Sequence, residues 1–194
     1  MMQVAGMTRS QVYENLGICF LVGGPRGMET IALALRDYEW LEPERPATFP
    51  DGWAHRPEFL RSGLDFSTRS VAAGEAELMR NWYVRTIGEM PPYVELLLDL
   101  RPALLKAYRD RYENLLRELP TEFIPASLLH YDVIRGFGEG IRENVLLLRA
   151  LGVSRDQVVN IAGSASLNGG MAGFSILARA AGDVLRDWEV TDGR

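Results

Sequence analysis

Apolar residues recur along this chain every three or four positions, and nowhere does a strict alternation survive. That spacing is the mark of helices that bury one stripe, not of strands, which alternate with a period of two. Thr8-Arg9-Ser10-Gln11 has the form of a capping box, in which residue three reaches back to the cap, and Val12, Leu16, Cys19 and Val22 follow at helical spacing. A first helix over about 9–22 is expected. Gly23-Gly24-Pro25-Arg26-Gly27 stops it, and a second runs from Met28 to Trp40 with Met28, Ile31, Leu35 and Tyr38 on one side. Between 41 and 66, Pro43, Pro46, Pro50 and Pro57 break every candidate helix, while Trp40, Phe49, Trp53, Phe59 and Phe66 supply apolar anchors. A loop this long usually binds, covers or crosses something. It fits a segment packed on the domain or on a neighbouring subunit, with a lid carrying Trp53 and His55 over a pocket as the alternative.

Helical spacing returns at about 70–88 with Val71, Leu78 and Trp82, and Pro91-Pro92 ends it. A short helix follows over 93–100. Pro102 is suited to the first turn of the next, which carries Leu104, Tyr108, Tyr112 and Leu119 up to Pro120. Ser154-Arg155-Asp156-Gln157 is a second capping box, and Val158, Ile161, Ala162 and Ala165 give its helix a small-residue face. Asn168-Gly169-Gly170 stops that helix. A last one over 171–188 turns Phe174, Leu177, Ala178, Ala181 and Leu185 inward, and 191–194 should fray. The expected fold class is all-α, with an N-terminal helical extension over 1–90 and a helical domain over 91–190.

The stretch from Thr121 to Gly152 stands apart. At 100° per residue, His130, Ile134, Phe137, Ile141, Asn144 and Leu148 fall on one line, so two polar residues share an apolar stripe. Gly136, Gly138 and Gly140 interrupt it, each costing roughly 1 kcal/mol in a helix interior. A bend or a close backbone approach is expected there, and with it a pocket.

Composition narrows the functional classes. The chain has 194 residues, 47% hydrophobic and 24% charged, the proportions of a globular protein. With a net charge of −5 and arginines scattered among acids around a single lysine, Lys106, no basic patch exists to track nucleic acid. No apolar run is long enough to span a bilayer and no signal peptide is visible, so a cytoplasmic protein is expected. One cysteine, Cys19, excludes an internal disulfide or dithiol relay, and two histidines leave little for a transition metal. The glycines at 23–27 lack the Lys-Ser/Thr pair of a phosphate loop and read as a turn between helices.

From Tyr93 to Trp188 the order of features resembles the carboxymuconolactone decarboxylase and alkylhydroperoxidase D family. That order is a Pro-started helix, Leu119-Pro120, a long helix with a glycine-rich middle, Ala150-Leu151-Gly152-Val153-Ser154, a small-residue helix, Asn168-Gly169-Gly170 and a final helix. Redox members carry Cys-x-x-Cys-x-x-x-His ending eight residues before the glycine. Counting back from Gly152 puts Phe137, Gly140 and Asn144 at those positions. Thiol peroxidase chemistry is therefore excluded, because an attacking thiolate and a resolving thiol are both missing. The decarboxylase branch, as the resemblance implies, uses no cofactor and moves protons with a histidine and acids in a pocket between subunits.

The residues left to do such work are His130 and Glu139 as proton carriers, with Arg135, Arg142, Glu143, Asn144 and Tyr131 binding substrate. His130 titrates near neutral pH when unperturbed, an arginine can bind a carboxylate bidentately, and Asn144 can donate to a substrate oxygen but cannot move a proton. Each also has a plain reading: a hydrogen-bonded core histidine, solvated ion pairs, a packed tyrosine. His130 and Asn144 would lie about 21 Å apart in a straight helix, so only a break would unite them. The resulting expectation is a cofactor-free lyase, decarboxylase or hydrolase acting on a small ring-derived acid or lactone. A catalytically silent subunit or scaffold of another enzyme is the alternative. A homotrimer or homohexamer is expected, since small-residue faces at 162–165 and 178–181 suit close helix packing.

Overall fold

A computed structural model describes residues 6–36 and 45–188. Among these the fold is all helical, without a strand: α1 (Arg9–Leu35), a 3-10 turn (Pro57–Leu60), α2 (Glu75–Ile87), α3 (Pro92–Leu100), α4 (Pro102–Glu113), α5 (Phe123–Arg135), α6 (Gly138–Ala150), α7 (Arg155–Gly169) and α8 (Ala172–Arg186). The expected helix end at 37–40, the loop's first residues at 41–44 and the tail at 191–194 lie outside the described residues.

Both capping boxes form. Gln11 N donates to Thr8 Oγ1 at 3.2 Å while Thr8 N donates to Gln11 Oε1 at 3.0 Å. Ser154 and Gln157 reciprocate in the same way at 3.2 Å each. Each satisfies two N–H groups that a helix start otherwise leaves without partners. The expected turn at 23–27 shrinks to one residue: Gly24, at φ 60 and ψ −161, breaks α1, and Pro25 follows inside it. Two other boundaries differ from the sequence reading. The helix expected from residue 70 starts at Glu75, because Gly74 is left-handed and the Glu75 carboxylate accepts from Ala72 N and Asp65 N to make a turn instead. The helix expected to reach Pro120 stops at Glu113, beyond which Glu14 accepts from Glu118 N and Leu119 N.

Helices α5 to α8 pack on one another and α1 and α2 lie against α5 and α6. Residues of both halves share one core, among them Ile18, Met79, Trp82, Leu105, Leu129, Ile141, Val145 and Val158. At α2 and α4 the expected Trp82 and Tyr112 are buried, but Leu78 and Leu104 are exposed and their neighbours Met79 and Leu105 are buried instead. Ala178 is also exposed. Of the small residues of α7 and α8, Ala162, Ala165 and Ala181 are buried within the chain. A Cβ on Gly169 would come within 2.9 Å of the Ile134 backbone, and one on Gly173 within 2.5 Å of Val133 O, so both glycines allow the α7–α8 turn to sit directly on α5.

The proline-rich segment is strapped down, not hinged. Glu122 accepts from Ala54 N at 3.2 Å and pairs with Arg56, which also donates to Leu151 O at 2.9 Å. Arg56 N donates to Thr121 Oγ1 at 2.7 Å, Thr121 N to Ala54 O at 2.9 Å, and His55 Nδ1 lies 2.9 Å from Leu119 O. Further on, Ser62 N and Oγ both donate to Glu113, whose other partner is Arg109. Arg109 is fully buried, with its guanidinium 3.7 Å above the Trp82 ring. Lys106 binds both oxygens of Glu75 and the carbonyl of Ser70. Trp53 and Phe49 each meet Phe123 edge to face at about 5.5 Å.

Candidate functional site

The stripe that looks continuous in the sequence is broken in space. Gly136 adopts the left-handed conformation at φ 70, and its N–H and that of Phe137 both bond Asp132 O, which closes α5. Phe137 is extended and α6 starts at Gly138. The break lets the last turn of α5 face the first two turns of α6. Asp132 therefore meets Gly140, Glu143 and Asn144, while His130 is left on another face.

These residues wall a cavity of about 520 Å³. Leu21 and Val22 of α1 close one side, Tyr93 of α3 and Tyr108 of α4 another, and Tyr131, Asp132, Arg135, Phe137, Glu143 and Asn144 complete it. Gly140 is there for space: a Cβ would collide with Asp132 Oδ2 and come within 2.5 Å of the Phe137 ring. Asn144 Nδ2 donates to Asp132 Oδ2 at 3.1 Å and to Gly140 O at 2.9 Å, fixing the Asp132 carboxyl across the helix break. Tyr93 donates its hydroxyl to Glu143 Oε2 at 2.5 Å.

Among the described residues neither acid has a cation in contact. Burial pushes the Asp132 carboxyl up to about 7, against the Asn144 bond that lowers it, with the neighbouring Glu143 charge raising it further and Arg135 pulling it down. Burial likewise pushes Glu143 up to about 7, opposed by the Tyr93 hydrogen bond and the more distant Arg109 charge. Tyr93 and Tyr108 are raised above the ordinary phenol range, first by burial and then by Glu143, and so remain neutral donors. Two carboxyls that face one cavity are thus both pushed to about 7, each chiefly by its own burial.

Of the residues expected from the sequence, Glu143, Asn144, Tyr131 and Arg135 meet around this cavity. Arg135 is exposed at the rim, with its guanidinium 5.3 Å from the Tyr131 ring. Arg142 does not take part, because Glu89 binds its Nε and Nη2 at 2.7 and 3.0 Å and Asp183 its Nη1 at 2.9 Å. Glu139 is exposed and reaches the site only through its charge, which raises Glu143. His130 lines a separate cavity, where its Nδ1 lies 3.1 Å from Ser164 Oγ. Asp132, Tyr93 and Tyr108 are the members that sequence reasoning did not place in the site. A signal existed for Asp132: it falls with Leu128, Leu129 and Val133 on the buried face of α5, where an acid is out of place.

Cys19 is free, and burial pushes its thiol up, which disfavours the thiolate. Among the described residues no group of three or more His, Cys, Asp or Glu is placed to hold a metal ion, and no helix is long and apolar enough to cross a membrane. Compared with known proteins, the chain matches no family model, no curated protein and no solved structure.

Proposed function

We propose that the cavity between α5 and α6 is the active site of an enzyme that moves protons on a small organic anion, with Asp132 and Glu143 as the proton-carrying pair. One observation carries this: two buried carboxyls, each given among the described residues a single neutral donor and no cation, face one cavity that reaches solvent. Leaving acids in that state costs stability, and a catalyst working near pH 7 is where the cost has a use. In the singly protonated pair, the ionised member takes a proton from a carbon next to a carboxylate or lactone carbonyl, or from water. The protonated member delivers one to the developing oxyanion or leaving oxygen. Arg135 at the rim binds the substrate carboxylate, and Tyr93 orients Glu143.

A decarboxylase, lyase or lactone hydrolase working on a ring-derived acid has this requirement. The family resemblance supports the reading at one point, since Phe137, Gly140 and Asn144, at its motif positions, all line the cavity. A silent scaffold would gain nothing from two uncompensated acids.

The test is proton exchange, which needs no knowledge of the full reaction. A panel of cyclic carboxylic acids and lactones is incubated with the protein in deuterated buffer, and loss of acidic C–H signals is followed by NMR. Asp132→Asn and Glu143→Gln should each slow exchange about 10²–10⁴-fold with the fold intact, and the wild-type rate should be bell-shaped around pH 7. His130→Gln should exchange at the wild-type rate. Acid variants as fast as the wild type on a turned-over compound would remove the proposal.

A further inference from the structure

The second cavity, of about 800 Å³, lies between α1, α5 and α7 and is walled by Ile18, Trp53, Phe123, Ala126 and Ile161 beside His130 and Ser164. It adjoins the acid pair's cavity along Val22 and Tyr131, which line both. In character the two differ: among the described residues no Asp, Glu, Lys or Arg lines the second, whose polar side chains are Asn15, Cys19, Trp53, Ser127, His130, Tyr131 and Ser164. An ionic ligand would find no carboxylate, ammonium or guanidinium there to offset its desolvation. Trp53 and Phe123, edge to face at 5.5 Å, offer an aromatic wall.

The hydrogen bonds around His130 give this cavity a direction. Ser164 Oγ donates its only proton to Ile161 O at 2.8 Å, so towards His130 it can only accept. In that arrangement a neutral imidazole donates to it from Nδ1, 3.1 Å away, and keeps a lone pair on Nε2. Among the described residues Nε2 has no hydrogen-bond partner. We propose that this cavity is a second ligand site, which binds an uncharged aromatic molecule carrying a hydroxyl and takes that hydroxyl's proton in a hydrogen bond to His130 Nε2. The volume suits a ligand of two or three rings. The proposal does not depend on the acid pair being catalytic.

Naphthol and naphthalene are the probes, titrated into the full chain by calorimetry. Naphthol should bind about tenfold more tightly than naphthalene, the worth of one net hydrogen bond. His130→Phe should bring the two to equal affinity, and Ser127→Trp, which fills the cavity, should abolish saturable binding of both. Glu143→Gln should leave naphthol affinity unchanged, which separates this site from the acid pair. With only two histidines in the chain, His130 is assigned in nitrogen NMR by difference from His55→Gln. Its Nε2 signal should move on adding naphthol and stay put with naphthalene, a readout that survives if His130→Phe misfolds. Failure of either probe to saturate, equal affinities in the wild type, an unmoved Nε2 signal, binding retained in Ser127→Trp or binding lost in Glu143→Gln would each overturn the proposal. So would affinity that vanishes on dilution, since the cavity would then belong to a contact between copies.

Discussion

Six carboxylates are buried among the described residues, and they fall into two regions that treat charge in opposite ways. Glu14, Glu75, Glu113 and Glu122 lie where the proline-rich strap and α1 meet the helical body, and each is saturated. Glu14 takes two backbone N–H groups, Glu75 two and a lysine, Glu113 a serine and an arginine, and Glu122 a backbone N–H and an arginine. Asp132 and Glu143, at the helix break, have one neutral donor each. A carboxylate with several donors behaves as a structural bolt, and Glu75 is held below the usual carboxylate range, with the Lys106 hydrogen bond as the largest cause. One stripped of them holds its proton to a higher pH. Burial alone does not separate the two; the count and charge of the donors does.

The largest expected effect comes from unbalancing the strap. Arg109→Met should lower the stability by about 3–5 kcal/mol, because Glu113 is left charged and buried without its cation and Leu60 O loses its donor. The midpoint of urea unfolding at constant slope measures it, and a loss under about 1 kcal/mol would mean that Ser62 alone suffices for Glu113.

At the helix break the sign reverses, and it depends on pH. Asp132 and Glu143 hold their protons more tightly folded than unfolded, so their contribution to stability is complete below about pH 4 and is lost as pH rises through about 7. Asp132→Asn with Glu143→Gln should therefore stabilise the protein at pH 8.5, by up to about 3 kcal/mol, and leave it nearly unchanged at pH 4. Melting temperatures across that range give the comparison directly. A double variant destabilised equally at both ends would show that the acids are bolts after all.

The smallest contrast uses two glycines on the same turn. Gly140→Ala should cost about 1–3 kcal/mol, since its methyl strikes Asp132 and the Phe137 ring. Gly138→Ala meets nothing nearer than 3.7 Å and should gain up to about 1 kcal/mol from reduced chain entropy. Equal melting shifts for the two would contradict the crowding at Gly140.

Local rules carried much of the fold. Thr8 and Ser154 start their helices because a hydroxyl and a glutamine three residues on are sufficient in themselves, and Pro102 likewise opens α4. What failed to read were boundaries decided across the chain. The last turn expected of α4 is pre-empted by Glu14 from more than a hundred residues away, and nothing between 114 and 120 announces it. The site was legible as a region and not as a set. Three glycines marked the bend, but projecting one straight helix through it put His130 and Asn144 on a common line. The left-handed Gly136 redirects the chain, and the partner of Asn144 becomes Asp132, off that line. Tyr93 could not have been placed, since only the packing of α3 against α4 and the start of α6 brings it to Glu143.

The strap also bears on how the chain's entropy is spent. The Glu14 contact with Glu118 spans 104 residues and the Ala54 contact with Glu122 spans 68. Closing a flexible loop costs only about 0.6 kcal/mol more for each doubling of its length, so the wider of these costs little more than the narrower. Once either has formed, the other joins points already held close, and most of its closure cost has vanished. The carboxylate bolts thus lend one another effective concentration, binding the first third of the sequence to the rest as a clasp whose later teeth close almost free.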